Sequence, residues 1–235
     1  MTDPAESGPR IAVLDAPSPN HGPRRGGGRV DMLVLHYTGM SSAAAALDRM
    51  RDPASEVSAH YLVDEDGTVW RLVPEERRAW HAGVSSWSGD ADVNSRSIGI
   101  ELANPGHGFD SRPFAEPQMT ALEALCRGIL ARHPIPPRHV LGHSDVAPDR
   151  KQDPGEQFDW RRLAMAGIGL WSDAESVEIP EGVDFAGNMR RFGYADGSEA
   201  AIAAFQRHFR PGAITGIADA QTTARLADLL IQANR

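Results

Sequence analysis

Apolar and polar positions along the chain alternate between short buried runs and amphipathic stretches. Met32-Leu33-Val34-Leu35 is wholly apolar and ends in His36; Thr38-Gly39 and an alanine-rich stretch over 41–50 follow. That order predicts a buried strand, a loop and a helix. His60-Tyr61-Leu62-Val63 and Val69-Trp70-Arg71-Leu72-Val73 flank Asp64-Glu65-Asp66-Gly67, whose acidic residues and glycine favour a tight turn, so a hairpin is expected. Ile98-Gly99-Ile100-Glu101-Leu102 and Val140-Leu141-Gly142-His143 predict two more strands. Behind Pro117, the apolar residues Met119, Leu122, Leu125, Cys126, Ile129 and Leu130 recur at helical spacing and predict a helix over 118–132. Strands interleaved with helices indicate an α/β fold.

The flanking segments read differently. Residues 1–28 hold five Pro and five Gly and predict an irregular arm, within which Ile11-Ala12-Val13-Leu14 is the piece able to dock on the body. The acidic stretch 172–182 lacks any period and reads as a linker, which bounds the main unit at 29–171. From 183 to 235 the spacing is helical again. Phe185, Met189 and Phe192 precede Gly193; Ile202, Phe205 and Phe209 precede Pro211-Gly212; Asp219 is placed to cap a helix carrying Leu226, Leu229 and Leu230. This predicts a small all-α unit of three helices, near the lower size limit for independent folding.

Composition narrows the classes. At 235 residues, with 41% hydrophobic and 24% charged positions, the chain has ordinary globular usage. A net charge of −8 excludes a broad nucleic-acid footprint. Six Arg balance six acidic residues from 181 onward, so the whole excess lies in the first unit. No apolar run is long enough to span a bilayer, so no membrane partner is expected. The opening residues lack a secretory pattern, which gives a cytoplasmic expectation, or a periplasmic one for a truncated N-terminus. The single cysteine, Cys126, excludes an intramolecular disulfide and, lying on an apolar helical stripe, reads as core and not as a nucleophile. Oligomeric state is not legible.

Three polar residues end apolar strands: His36, Glu101 and His143. Strand ends are where open α/β sheets build their sites. Asp153 follows His143 by ten positions, in the polar loop 149–155. Two imidazoles and a carboxylate match the donors zinc takes in a hydrolytic site, with a fourth position left for water. With nine histidines in the chain, suggestive pairs arise cheaply, and the plainer reading of any one is a hydrogen-bonded structural residue. Convergence of a His, a Glu and a second His at separate strand ends is harder to explain as core filling. Lys151 adds a further signal: of 24 basic residues it is the one lysine, two positions before Asp153. Its compact point charge suits a single developing oxyanion better than the planar fork of Arg. Ser144 lacks the Gly-x-Ser-x-Gly elbow of a serine hydrolase.

Several ordered motifs carry a family resemblance. His36-Tyr37-Thr38, Ser58-Ala59-His60-Tyr61-Leu62-Val63, Asp66-Gly67-Thr68-Val69, Ala79-Trp80-His81-Ala82-Gly83, Asn94-Ser95-Arg96-Ser97-Ile98-Gly99-Ile100-Glu101, Gly142-His143-Ser144-Asp145 and the loop 148–155 resemble the zinc-dependent N-acetylmuramoyl-L-alanine amidases of the type-2 amidase family over about residues 30–165. The tail, with Ala201-Ile202-Ala203-Ala204-Phe205-Gln206 and Gly216-Ile217-Ala218-Asp219, resembles a three-helix peptidoglycan-binding module. The resemblance implies a central mixed sheet flanked by helices. It also implies Zn2+ held by His36, His143 and Asp153, Glu101 as general base, and Lys151 at the carbonyl oxygen. The substrates implied are muropeptides, including 1,6-anhydro forms, cut between muramic acid and L-alanine. Where some relatives in the wider superfamily carry a Tyr, this chain has Ala59, which leaves proton transfer to Glu101. Trp80, His81, Asn94 and Arg96 are candidates for the substrate groove, with a solvated charge the plainer reading of Arg96; His60 is read as structural. Two rivals stay open: a recognition protein that binds wall fragments without cutting them, and a zinc peptidase acting within the stem peptide.

Overall fold

The computed structural model describes residues 11–109, 112–175, 182 and 184–234. Its strands are β1 (Val13–Asp15), β2 (His21–Pro23), β3 (Met32–Tyr37), β4 (Tyr61–Val63), β5 (Val69–Arg71), β6 (Arg77–Ala79), β7 (Ser97–Leu102) and β8 (Val140–Gly142). Its helices are α1 (Ala43–Arg51), α2 (Val93–Arg96), α3 (Glu116–Arg132), α4 (His143–Val146), α5 (Trp160–Met165), α6 (Phe185–Phe192), α7 (Glu199–Phe209) and α8 (Ala220–Gln232). Six strands form one mixed sheet in the order β1-β5-β4-β7-β3-β8, and β2 pairs with β6 in a small antiparallel ribbon. Within the large sheet β4, β7, β3 and β8 run parallel, and β5 is antiparallel to β4 through the expected hairpin.

Side chains alternate across a strand, so β3 and β7 feed two different cores. Leu33, Leu35, Ile98, Ile100, Leu102 and Val140 face α3, where Met119, Leu122, Leu125, Cys126 and Ile129 cover them. Burial pushes the Cys126 thiol well up, as suits a core position. Met32, Val34 and Leu141 face the other way and pack with Trp87, Val93 and Val146. The side chains of α1 (Ala43, Ala46, Met50) close a third cluster with Ala59, Leu62 and Leu72.

Two expectations need correction. Residues 13–15 and 21–23 are strands and not an irregular arm: β1 pairs with β5, and β2 with β6. Both are short and lie at sheet margins, where Gly22 and Pro23 are tolerated because one side needs no ladder. Their structure is imposed by the partner strand, and no local alternation announces it. The helical unit is likewise not a separate globule. Its helices are capped by side chains of Asp184, Ser198 and Asp219, yet Met189, Phe192, Phe205, Phe209, Leu226 and Leu229 share one core with Met32, Val34 and Leu141. Three short helices bury too little by themselves, and the open face of the sheet supplies the rest. Most of the expected linker, 176–181, lies outside the described residues. No helix among the described residues is long and apolar enough to cross a membrane.

Candidate metal centre

The parallel register of β3 and β7 pairs His36 directly with Glu101, and that of β3 and β8 pairs Leu35 with Gly142, one residue before His143. The three polar strand ends therefore emerge together, on the face that begins with Met32 and Val34. Asp153 is brought in by its loop, whose carbonyl accepts from Ser144 N–H at 2.9 Å. His36 Nδ1 lies 3.0 Å from His143 Nδ1 and 3.1 Å from Asp153 Oδ2, and His143 Nδ1 lies 3.0 Å from the same carboxylate oxygen. All three residues are buried.

Protons can be placed on this cluster from its outermost acceptors. Ser97 Oγ donates to the Val93 carbonyl at 2.7 Å, so it accepts from His81 Nε2–H at 3.0 Å. His81 Nδ1 is then bare and accepts from His36 Nε2–H at 3.0 Å. His143 Nε2–H donates to the Ala82 carbonyl at 3.1 Å. In their neutral forms His36 and His143 therefore turn unprotonated Nδ1 atoms toward each other and toward Asp153. Burial and the neighbouring His143 bring His36 down to about 4, which keeps it neutral near pH 7. In that state two lone pairs and a carboxylate oxygen converge on one point. A divalent cation would relieve their repulsion, and outer hydrogen bonds of this kind orient metal ligands generally.

Glu101 borders the cavity beside this cluster. Its Oε2 is buried with no hydrogen-bond partner among the described residues. Burial first, then the Asp153 carboxylate, pushes its acid form far above the usual range, with Lys151 acting in the opposite sense. The cavity, about 700 Å³, is also lined by Tyr37, Arg49, Trp80 and Lys151.

Not every expected contact reaches it. Asn94 is buried, and its Oδ1 accepts from the backbone N–H groups of His81 and Ala82. Arg96 is committed to Asp31 and Asp90 at 2.8 and 3.2 Å. His81 borders the cavity, but both its ring nitrogens are occupied by His36 and Ser97. Of the four, Trp80 also lines the cavity. His60 accepts from Gly99 N–H through Nδ1, a structural bond between strands. Gly99 was not singled out by sequence reasoning: a Cβ there would stand 2.5 Å from the His81 ring, so only glycine leaves that ring its place. Tyr37 and Arg49 were not foreseen either, since nothing in their spacing marks a cavity wall.

A family model described as N-acetylmuramoyl-L-alanine amidase matches residues 26–156, more than half of the chain. The chain belongs to this amidase family. The amidase is 39% identical to N-acetylmuramoyl-L-alanine amidase AmiD of Escherichia coli, over 87% of this chain and 83% of that protein. It is 34% identical to 1,6-anhydro-N-acetylmuramyl-L-alanine amidase AmpD of Enterobacter cloacae, over 67% of this chain and 91% of that one. Among solved structures it resembles AmiD in complex with anhydro-N-acetylmuramic acid-L-Ala-D-gamma-Glu-L-Lys (TM-score 0.76, 37% identity, 87% and 90% of the two chains covered). It also resembles AMPDH3 from Pseudomonas aeruginosa (TM-score 0.78, 33% identity, both chains covered in full). The amidase shares their mixed α/β architecture, with the central sheet flanked by helices.

Proposed function

We propose that this amidase uses zinc to hydrolyse the amide between muramic acid, including its 1,6-anhydro form, and the L-alanine of a stem peptide. The observation that carries the reading is the convergence of His36 Nδ1, His143 Nδ1 and Asp153 Oδ2, all buried and within 3.1 Å of one another. Two histidines and a carboxylate are a donor set that suits zinc. When bound, zinc polarises a carbonyl and lowers the pKa of water toward about 7. Glu101 takes the proton of the attacking water and returns it to the leaving nitrogen, a task that needs a carboxylate beside the metal and not on it. Lys151 meets the charge that builds on the carbonyl oxygen; losing such a donor costs about 2.7–4 kcal/mol. The cavity has room for a muramoyl unit and the first stem residues. A chain of this family so similar to AmiD, whose complex holds an anhydro-muramoyl tripeptide, takes substrates of that class.

The test is mass spectrometry of products from a defined anhydro-muropeptide and, separately, from intact sacculi, with metal content measured on protein purified without added zinc. Release of an intact peptide beginning at L-alanine, by protein carrying one zinc, is expected. Cleavage within the peptide would make it a peptidase, and binding without cleavage a recognition protein. Faster turnover of the fragment than of sacculi assigns it to recycling of wall fragments; the reverse order assigns it to wall remodelling.

A further inference from the structure

We infer that the three C-terminal helices are a structural part of the metal centre: through Tyr194 and His208 they hold Asp145, and through Asp145 the turn that presents His143. The inference rests on reading His36, His143 and Asp153 as metal ligands.

Asp145 lies in α4, two residues after His143, and is 2% exposed. Its Oδ2 accepts from Gly142 N–H at 2.7 Å and from His208 Nδ1 at 2.7 Å, while Oδ1 accepts from the Tyr194 hydroxyl at 2.6 Å. Gly142 is the last residue of β8, so this carboxylate fixes the corner where strand turns into helix and His143 leaves the sheet. His208 is held in turn by flat stacking on Trp160, with ring centroids 3.7 Å apart, and on Phe209 at 3.8 Å. Removing either donor leaves a buried carboxylate partly unsatisfied, which favours movement of the corner.

A second grip acts on the far side of the same imidazole. His143 Nε2 donates to the Ala82 carbonyl, and the loop beyond Ala82 is clamped by the helical unit. Trp87 is fully buried against Tyr194 and Phe192, with centroids 5.0 and 6.2 Å away. Ser88 N–H donates to the Gly193 carbonyl at 2.7 Å, and Ser86 N–H to that of Val146 at 2.8 Å. Both the backbone that carries His143 and the acceptor that orients its ring are thus tied to residues 192–209. A tethered wall-binding unit has no use for a buried hydrogen bond between His208 and Asp145 and a shared core of this kind.

The experiment uses the full chain, measuring zinc affinity by competition with a chromophoric chelator and ligand geometry by the absorption spectrum of the cobalt(II) form. Tyr194→Phe, which removes one hydroxyl and keeps the ring, and His208→Gln should each bind zinc about tenfold more weakly, as loss of an outer-sphere partner does. Both should alter the cobalt spectrum. Leu229→Ala, in the same core but on α8, which carries neither Tyr194 nor His208, should lower the unfolding midpoint and leave zinc affinity unchanged. Parental zinc affinity in Tyr194→Phe and His208→Gln would overturn the inference. So would an equal loss of affinity in Leu229→Ala, which would mean general softening. A parent protein that takes up no zinc would overturn the metal reading and, with it, this inference.

Discussion

The two faces of the central sheet are built from the same strands and do different work. Toward α3, the buried residues of β3 and β7 are apolar: Leu33, Leu35, Ile98, Ile100 and Leu102. On the opposite face β3 starts apolar, at Met32 and Val34, and finishes at His36, while β7 runs from Ser97 through Gly99 to Glu101. One face is free to maximise burial, and the other gives up burial at its C-terminal end to hold groups that water would otherwise satisfy. Separating the two functions by strand periodicity makes them independently testable.

The largest effect is expected from Glu101→Gln. Loss of a general base costs about 10²–10⁴-fold in rate, so turnover of an anhydro-muropeptide should fall by about a thousandfold while zinc content and unfolding midpoint hold. Turnover within tenfold of the parent would remove Glu101 from proton transfer. On the other face, Leu122→Ala should do the converse. Leu122 is fully buried, and its truncation should cost about 3 kcal/mol in denaturant unfolding while turnover per folded molecule is retained. A matching loss of turnover would show that the two faces are not separable.

Gly99→Ala should act between these extremes. The added methyl displaces the His81 ring and with it the partner of His36 Nε2, so zinc should bind about tenfold more weakly. Unchanged zinc affinity in a chelator competition would mean that His81 does not orient His36. The smallest effect concerns Glu75, which accepts from Arg132, Tyr61 and His133. Burial raises its pKa, but these bonds prevail and hold it at about 2. Because that lies below the unfolded value of about 4.3, its stabilisation is complete above pH 4.3 and is lost as pH falls toward 2. Glu75→Gln should flatten the stability profile in that window by on the order of 1 kcal/mol. A profile identical to the parent's would rule the contribution out.

Much of this division was legible in the sequence. Apolar runs that end in His36 and Glu101 announced both the strands and their polar tips, and the helical spacing of Met119 to Ile129 announced the helix that covers one face. What could not be read depends on contacts between remote segments. β1 exists because β5 offers it an edge. Arg96 looks like a free charge in sequence and is neutralised by Asp31, 65 positions away. Asp145 belongs to the motif Gly142-His143-Ser144-Asp145, yet nothing local reveals that Tyr194 and His208 are its partners. The spacing of Phe185 to Leu230 predicted three helices but not that their apolar sides needed the sheet.

The pairing of His36 with Glu101 lies within one parallel ladder and does not depend on any loop. Shifting β7 by a single step against β3 would set an aliphatic neighbour beside His36 and turn the carboxylate to the opposite side. Evolution or an engineer can therefore redraw the cavity rim, through the loops that bear Trp80 and Lys151, while the spacing between His36 and Glu101 stays inherited from the backbone lattice.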